Sequence, residues 1–134
     1  MNIGNASIFL RHVLWADAAV SLAMALVLIF GASAIASPTA LPEFLLSGAG
    51  WALIPWVALV AFTATRNPLR TWLAWLVVAL NVVWVVESGY LLAADSIETN
   101  VIGVAFVLAQ AMGVLVLAAL QATGLLALRR QAPA

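Results

Sequence analysis

The 134-residue sequence has no cysteine and no lysine. Without cysteine, the chain cannot form disulfides, thiolate nucleophiles or cysteine-based metal sites. Charge is also scarce, since 7% of the residues are charged, whereas soluble domains carry about 25%. The net charge is zero. Nothing in this composition indicates a nucleic-acid partner, because that function requires a basic face.

Hydrophobic residues are abundant instead, at 66% of the chain. A small soluble domain keeps much of its surface exposed and could not hide this much apolar area. The composition therefore predicts an integral membrane protein. All five cationic residues are arginine, and such usage together with frequent Ala, Leu and Val is typical of a G+C-rich bacterial genome.

Four apolar stretches are long enough to span a membrane, since a helix needs about 20 apolar residues to cross the hydrocarbon core. The first stretch is longer than the core of a secretory signal, so we interpret it as a membrane helix. We predict an all-α fold, a four-transmembrane-helix bundle forming one integral membrane domain over residues 1–134. The predicted spans are residues 13–36, 44–64, 71–94 and 101–128.

The segments outside the spans carry turn and boundary signals. Residues 1–10 are uncharged and are expected to lie at the membrane interface or to fray. Residues 37–43 contain two prolines and are expected to form a loop. Asp95 or Ser96 is expected to cap the fourth helix. Within the second span, Pro55 is expected to produce a kink.

Charges are distributed asymmetrically between the two sides of this four-span topology. Positively charged loops stay on the cytoplasmic side, so both termini are predicted to be cytoplasmic, in the bacterial inner membrane. The residues on the predicted inner side are Arg11, Arg66, Arg70, Arg129 and Arg130, and those on the outer side are Glu43, Asp95 and Glu98.

The third span carries polar residues along one helical face. Asn81, Trp84 and Ser88 follow i, i+3, i+7 spacing and therefore share a side of the helix. Polar groups at membrane depth normally face a protein interior or a wet cavity. We expect this face to point into the bundle, opposite a similar stripe on the first span that contains Asp17 and Ser21.

Depth in the membrane pairs the polar residues of different spans. A helix rises about 1.5 Å per residue, so distances from the inner arginines can be compared. This comparison predicts two polar layers, one of Asp17 with Gln121 and one of Glu87 with Gln110. Asn81 is expected to lie between the layers and to hydrogen-bond across helices.

Three stretches resemble a type of small four-span bacterial membrane protein that is usually described as hypothetical. They are RHVLWADAAVS (residues 11–21), LNVVWVVESG (80–89) and AFVLAQAMGVLVLAALQ (105–121), the last followed by LRR (128–130). The resemblance covers nearly the whole chain and implies the four-span fold, but no activity. The motif positions are Asp17, Ser21, Asn81, Trp84, Ser88, Gln110 and Gln121.

Three classes of function fit these observations. We favour a structural or accessory subunit that packs in the bilayer as a homo-oligomer or within a larger complex. The second class is a binder of a lipid, quinone or other apolar small molecule, in a pocket opened by Pro55 and lined by Trp56, Asn81 and Trp84. Whichever class applies, we expect membrane lipids to be partners of the protein.

The third class is a small proton-coupled transporter that uses Asp17 or Glu87. A carboxylate in lipid is more stable protonated than charged, so one that gains and loses a proton could couple proton movement to transport. The rival interpretation is that both carboxylates are structural. For Asp17 the structural role is favoured, because this residue lies close to the inner boundary and could bond to Gln121, Trp15 or a lipid-facing arginine.

The sequence does not predict an enzyme or a resident cofactor. His12 is the single histidine, and a metal or haem site would need further ligands at its depth. A nucleophilic serine needs a base within reach, and Ser88 lies near the opposite boundary. We expect no catalytic, metal or cofactor-binding residue. The candidate polar or ligand-contacting residues within the membrane are Asp17, Ser21, Trp56, Asn81, Trp84, Glu87, Gln110 and Gln121.

Overall fold

Four helices make up the computed structural model, which describes residues 2–133. Each helix is long and apolar enough to cross a membrane, and no strand occurs within the described residues. The predicted all-α fold with four candidate membrane spans is therefore confirmed. The helices are α1 (Ile3–Thr39), α2 (Glu43–Thr65), α3 (Thr71–Ala93) and α4 (Val101–Gln131).

The beginning of α1 differs from the prediction. The side chain of Asn2 caps the helix by accepting a hydrogen bond from the Asn5 N–H at 2.8 Å. Ala6 and Leu10 are then fully buried. The expectation that residues 1–10 fray is therefore wrong from residue 2 onward, because an N-cap and tertiary packing hold this segment. Their location at the membrane interface stays a prediction. Met1 lies outside the described residues.

The end of α1 also differs, because the helix continues through Pro38 to Thr39. The prediction of a loop over residues 37–43 is therefore wrong for residues 37–39, which belong to α1. In the last turn of a helix, proline removes a single hydrogen bond, which costs less than in the interior. The Thr39 hydroxyl donates to the Ile35 carbonyl at 2.6 Å, and Pro42 occupies the N-cap position of α2.

The start of α4 is capped by Asn100, not by Asp95 or Ser96. The Asn100 side-chain oxygen accepts a hydrogen bond from the Gly103 N–H at 2.8 Å. Both asparagine and aspartate favour the N-cap position, so residue type alone did not distinguish them. The capping residue is the one that directly precedes the apolar run.

The start of α4 is bonded to the end of α1. The Asn100 side-chain amide donates to the Pro38 carbonyl at 2.9 Å, and the Thr99 hydroxyl donates to the Thr39 carbonyl at 2.7 Å. Gly103 lies against this junction, where a Cβ would collide with the Thr99 hydroxyl and the Thr39 carbonyl. Glycine therefore permits the close approach of the two helices.

The bundle is packed unevenly around its circumference. Helix α1 packs along both α2 and α4, and α3 packs along α4, whereas α2 and α3 make little contact. Where α2 and α3 do meet, near their connecting turn, Val60 and Ala64 join a buried cluster with Ala74 and Val77. The cluster in the other half of the bundle has no buried hydrophobic residue from α3. The two helices therefore leave a gap between their distal halves.

One end of the bundle holds all five arginines. Here the Arg11 guanidinium donates to the Ala64 carbonyl and, at 3.1 Å, to the Arg66 carbonyl, at the C-terminus of α2. Gly124 of α4 lies against Leu10 of α1. Because α1 and α4 have 37 and 31 residues and α2 and α3 have 23 each, the longer pair projects beyond the α2–α3 turn at this end.

Candidate functional site

Four polar side chains from three helices form a hydrogen-bonded group that we call the inner cluster: Asp17, Ser21, Asn81 and Gln121. The amides of Asn81 and Gln121 donate to the same Asp17 carboxylate oxygen, at 3.0 and 2.6 Å. The Asn81 amide also lies 3.1 Å from the Gln121 side-chain oxygen. The Ser21 hydroxyl donates to the other Asp17 oxygen at 3.1 Å.

The inner cluster confirms one predicted pair and corrects another position. Asp17 and Gln121 meet, as their depths predict. Asn81 belongs to this same cluster, so its placement between two layers is wrong. The depth comparison counts Asn81 from Arg70 and Asp17 from Arg11 as if these arginines were level and the helices parallel, and the hydrogen bond between Asn81 and Asp17 shows that the two counts are not equivalent.

Burial explains what the inner cluster does for the fold. Asp17, Asn81 and Gln121 are at most 3% exposed, and none of the described arginines bonds to Asp17. A buried polar group without a partner is costly, and both carboxylate oxygens of Asp17 are satisfied by neutral donors. The cluster therefore fixes the relative positions of α1, α3 and α4.

A second group, the outer cluster, consists of Trp84, Ser88 and Gln110. The Trp84 indole N–H donates to the Gln110 side-chain oxygen at 2.7 Å. The Gln110 amide donates to the Ser88 hydroxyl at 3.0 Å, and that hydroxyl donates to the Trp84 carbonyl at 2.8 Å. The predicted inward face of the third span is confirmed, since Ser88 is buried and Trp84 half-buried.

Glu87 and Gln110 lie at similar depth and line the same cavities, as their predicted layer requires, but among residues 2–133 no hydrogen bond joins them. Gln110 bonds to Trp84 and Ser88, and its amide also donates to the Val107 carbonyl at 2.9 Å. Successive residues of a helix are rotated by about 100°, so Glu87 cannot share the face on which Ser88 meets α4. Equal depth is not sufficient for contact, because the direction of the side chain also has to match.

A cavity of about 750 Å³, partly open to the outside, lies midway along the bundle and is lined by residues of all four helices. A second cavity of about 430 Å³ lies toward the acidic end. The two cavities have lining residues in common, so we treat them as one cleft. The common residues are Met24, Ala52, Trp84, Glu87 and Gln110.

The cleft brings together most of the predicted candidate residues. Ser21, Trp56, Asn81, Trp84, Glu87 and Gln110 all line it. Asp17 and Gln121 do not contribute to the lining and lie behind Asn81 as its hydrogen-bond partners. Pro55 lies on the exposed side of α2, and the kink expected there stays a prediction.

Sequence reasoning missed several apolar lining residues, among them Ala52 and Phe106. Each lies four residues before a polar or aromatic candidate, Ala52 before Trp56 and Phe106 before Gln110. Residues at i and i+4 share a helical face, so this spacing is the signal that could have identified them. Nothing about their type distinguishes them from lipid-facing residues.

The fold and the cleft define a class: an all-α protein with four helices that could each span a membrane and an apolar cleft between them. Comparisons of the chain with protein-family models, curated proteins and solved structures return no match. The resemblance to small four-span bacterial proteins therefore stays a prediction. Among residues 2–133, no three His, Asp or Glu side chains form a group that could hold a metal ion.

Proposed function

We propose that the protein binds an apolar small molecule, such as a lipid or quinone, within the membrane. The observation that carries this proposal is the cleft of about 750 Å³ beside the gap between α2 and α3. Ligand pockets typically measure about 300–1,000 Å³. The cleft is open to the outside, since lining residues such as Val20 and Val83 are exposed, so a molecule in the surrounding membrane could reach it.

The lining of the cleft supports the same proposal. Ligand sites are mostly apolar and carry a few convergent polar groups. Trp56 and Trp84 supply aromatic surface from two helices, whereas Asn81 and Gln110 supply amides at different heights. Hydrogen bonds hold Trp84 and Asn81 in place, so the lining is organised before a ligand enters.

Filling the cleft tests this function. Gly113 lines the cleft, and a Cβ at this position would have no atom within 4 Å, so the side chain of Gly113→Leu would begin in open space and extend into the cleft. Gly89 is similarly unobstructed and lies outside the cleft lining, which makes Gly89→Leu a matched control. Both changes replace glycine in a helix by a better helix former.

Native mass spectrometry of each purified protein gives the readout. We expect wild type and Gly89→Leu to retain an apolar molecule at fixed stoichiometry and Gly113→Leu to lose it. Equal retention by Gly113→Leu, or no retained molecule in wild type, would contradict binding in the cleft. The same spectra report the oligomeric state that the subunit interpretation requires.

We also propose that the chain lies in a bacterial inner membrane with both termini cytoplasmic. The support is the collection of all five arginines at one end of the bundle, since positive charge stays on the cytoplasmic side. A fluorescent protein fused after the C-terminus should fluoresce, and alkaline phosphatase inserted between Asp95 and Glu98 should be active. The reverse pattern would refute this orientation.

Proton-coupled transport through Asp17 or Glu87 stays a prediction. The donors around Asp17 account for its burial without a transport role. Transport would require pH-driven flux in liposomes that Asp17→Asn abolishes. Flux that persists in this variant would remove Asp17 from such a mechanism.

A further inference from the structure

Among the described residues 2–133, Glu87 is the one carboxylate that lines the cleft. It lies about 9 Å from the end of α3 at Ala93, at about 1.5 Å per residue, and therefore within the depth of a spanning helix. Within residues 2–133, its side chain makes no hydrogen bond to another side chain or to the backbone. A carboxylate at membrane depth is costly unless it has a partner.

The cations of the chain are too far away to be that partner. Arg70, at the start of the same helix, is about 25 Å from Glu87 along the axis. The other arginines lie at the same end of the bundle as Arg70. Glu87 is exposed at the cleft, and a bound cation would supply the positive charge that the described residues do not.

Aromatic surface accompanies this carboxylate. Trp84 lies one turn before Glu87 on the same face of α3, and Trp56 lines the cleft from α2. The Trp84 ring is held by its hydrogen bond to Gln110. Tryptophan faces attract ammonium groups, most strongly where water is excluded. A carboxylate and two indoles in one cleft are complementary to a cation that carries apolar substituents.

We propose that the cleft binds a lipophilic cation, with its apolar body against Trp56 and Trp84 and its ammonium group beside Glu87. This inference rests on the proposed function and specifies its ligand class. A phospholipid fits the same charges poorly, because its phosphate would approach Glu87 where no described arginine lies. A free monocation carries no such anionic group.

The experiment compares two probes of the same shape. One is 4-phenylbutyltrimethylammonium, and the other is its neutral isostere, in which a quaternary carbon replaces the nitrogen. Binding is measured by equilibrium dialysis against the protein in phosphatidylcholine nanodiscs, and protein-free nanodiscs give the partitioning background. We expect wild type to bind the cation about tenfold more tightly than the neutral isostere, as a partly solvated ion pair would produce.

Glu87→Gln removes the charge and keeps the shape of the side chain. It should weaken binding of the cation about tenfold and leave binding of the neutral isostere unchanged. Glu98→Gln is the matched control, because Glu98 is exposed outside the cleft and the net charge changes equally. This control should bind both probes as wild type does.

The outcomes separate the inference from the proposed function. If Gly113→Leu blocks the neutral isostere but Glu87→Gln binds the cation as wild type does, the cleft is a binding site and the cation inference is wrong. If wild type binds neither probe above background and retains no lipid, or if Gly113→Leu binds both probes normally, the proposed site itself fails. A tightly held phospholipid that neither probe displaces would identify a lipid site and also overturn the cation inference.

Discussion

The Gln121 side-chain amide lies 2.6 Å from an Asp17 carboxylate oxygen, although 104 positions separate the two residues in the chain. Both side chains are almost completely buried. This hydrogen bond joins the first and last helices at the height where Asn81 of α3 also bonds to Asp17. A single carboxylate therefore links three of the four helices.

Replacing Gln121 should measure the contribution of this link. Gln121→Leu removes a buried donor to Asp17, and we expect the free energy of unfolding to fall by about 1–3 kcal/mol. Unfolding in mixed micelles, followed by circular dichroism during a dodecyl sulfate titration, gives the value. Thr123→Val is the control, because the exposed Thr123 hydroxyl donates only to the Ala119 carbonyl of its own helix. Equal losses in the two variants would contradict the role of the inner cluster.

Trp84 and Gln110 should be energetically coupled. A double-mutant cycle with Trp84→Phe and Gln110→Leu isolates their hydrogen bond, and interhelical bonds of this kind contribute about 0.6–1.7 kcal/mol in membrane proteins. The same titration gives the four free energies of unfolding. A second cycle with Trp72→Phe is the control, because Trp72 is exposed near the start of α3. If the losses in free energy of unfolding caused by Trp84→Phe and Gln110→Leu simply add in the double variant, the hydrogen bond between these residues would be refuted.

Two glycines of α4 should respond in opposite directions to alanine. Gly103→Ala would place a methyl group against the Thr99 hydroxyl and the Thr39 carbonyl, and such overpacking costs about 1–3 kcal/mol. Gly113→Ala meets no atom within 4 Å, so its higher helix propensity should stabilise the protein by up to about 1 kcal/mol. Thermal unfolding of both variants gives the comparison. Similar shifts in the two midpoints would contradict the close approach at Gly103.

Arg11 should contribute more to stability than a neighbouring exposed arginine. Its guanidinium donates to the carbonyls of Ala64 and Arg66, which are at the end of α2 and have no helical partner. Arg11→Gln should lower the free energy of unfolding by about 1–2 kcal/mol. Arg70→Gln removes the same charge from an exposed side chain and should change the free energy of unfolding by less than about 0.5 kcal/mol. A larger effect at Arg70 would overturn this assignment.

The sequence predicted the four helices because their apolar runs are long and bounded by proline, asparagine and charged residues. It also predicted that Asp17 meets Gln121, because both depths are counted from nearby arginines. Rotation about the helix axis was harder to predict. Glu87 and Ser88 have nearly the same depth, yet Ser88 bonds to Gln110 of α4 and Glu87 does not.

The cleft itself could not be predicted in the same way. Its volume depends on how far α2 stands from α3, and that spacing results from the packing of all four helices. Trp56 and Trp84 were expected to line a pocket opened by Pro55. Ala52 and Phe106 gave no comparable signal, since an apolar residue facing a cleft resembles one facing lipid.

The gap between α2 and α3 determines how a molecule would reach the cleft. Because these helices separate away from their connecting turn, a hydrophobic guest can enter sideways from the acyl chains and need not cross the aqueous boundary. Its relevant concentration is then its mole fraction in the bilayer. Saturation curves measured at different lipid-to-protein ratios should superimpose when binding is plotted against moles of guest per mole of lipid. They should diverge when binding is plotted against moles of guest per litre.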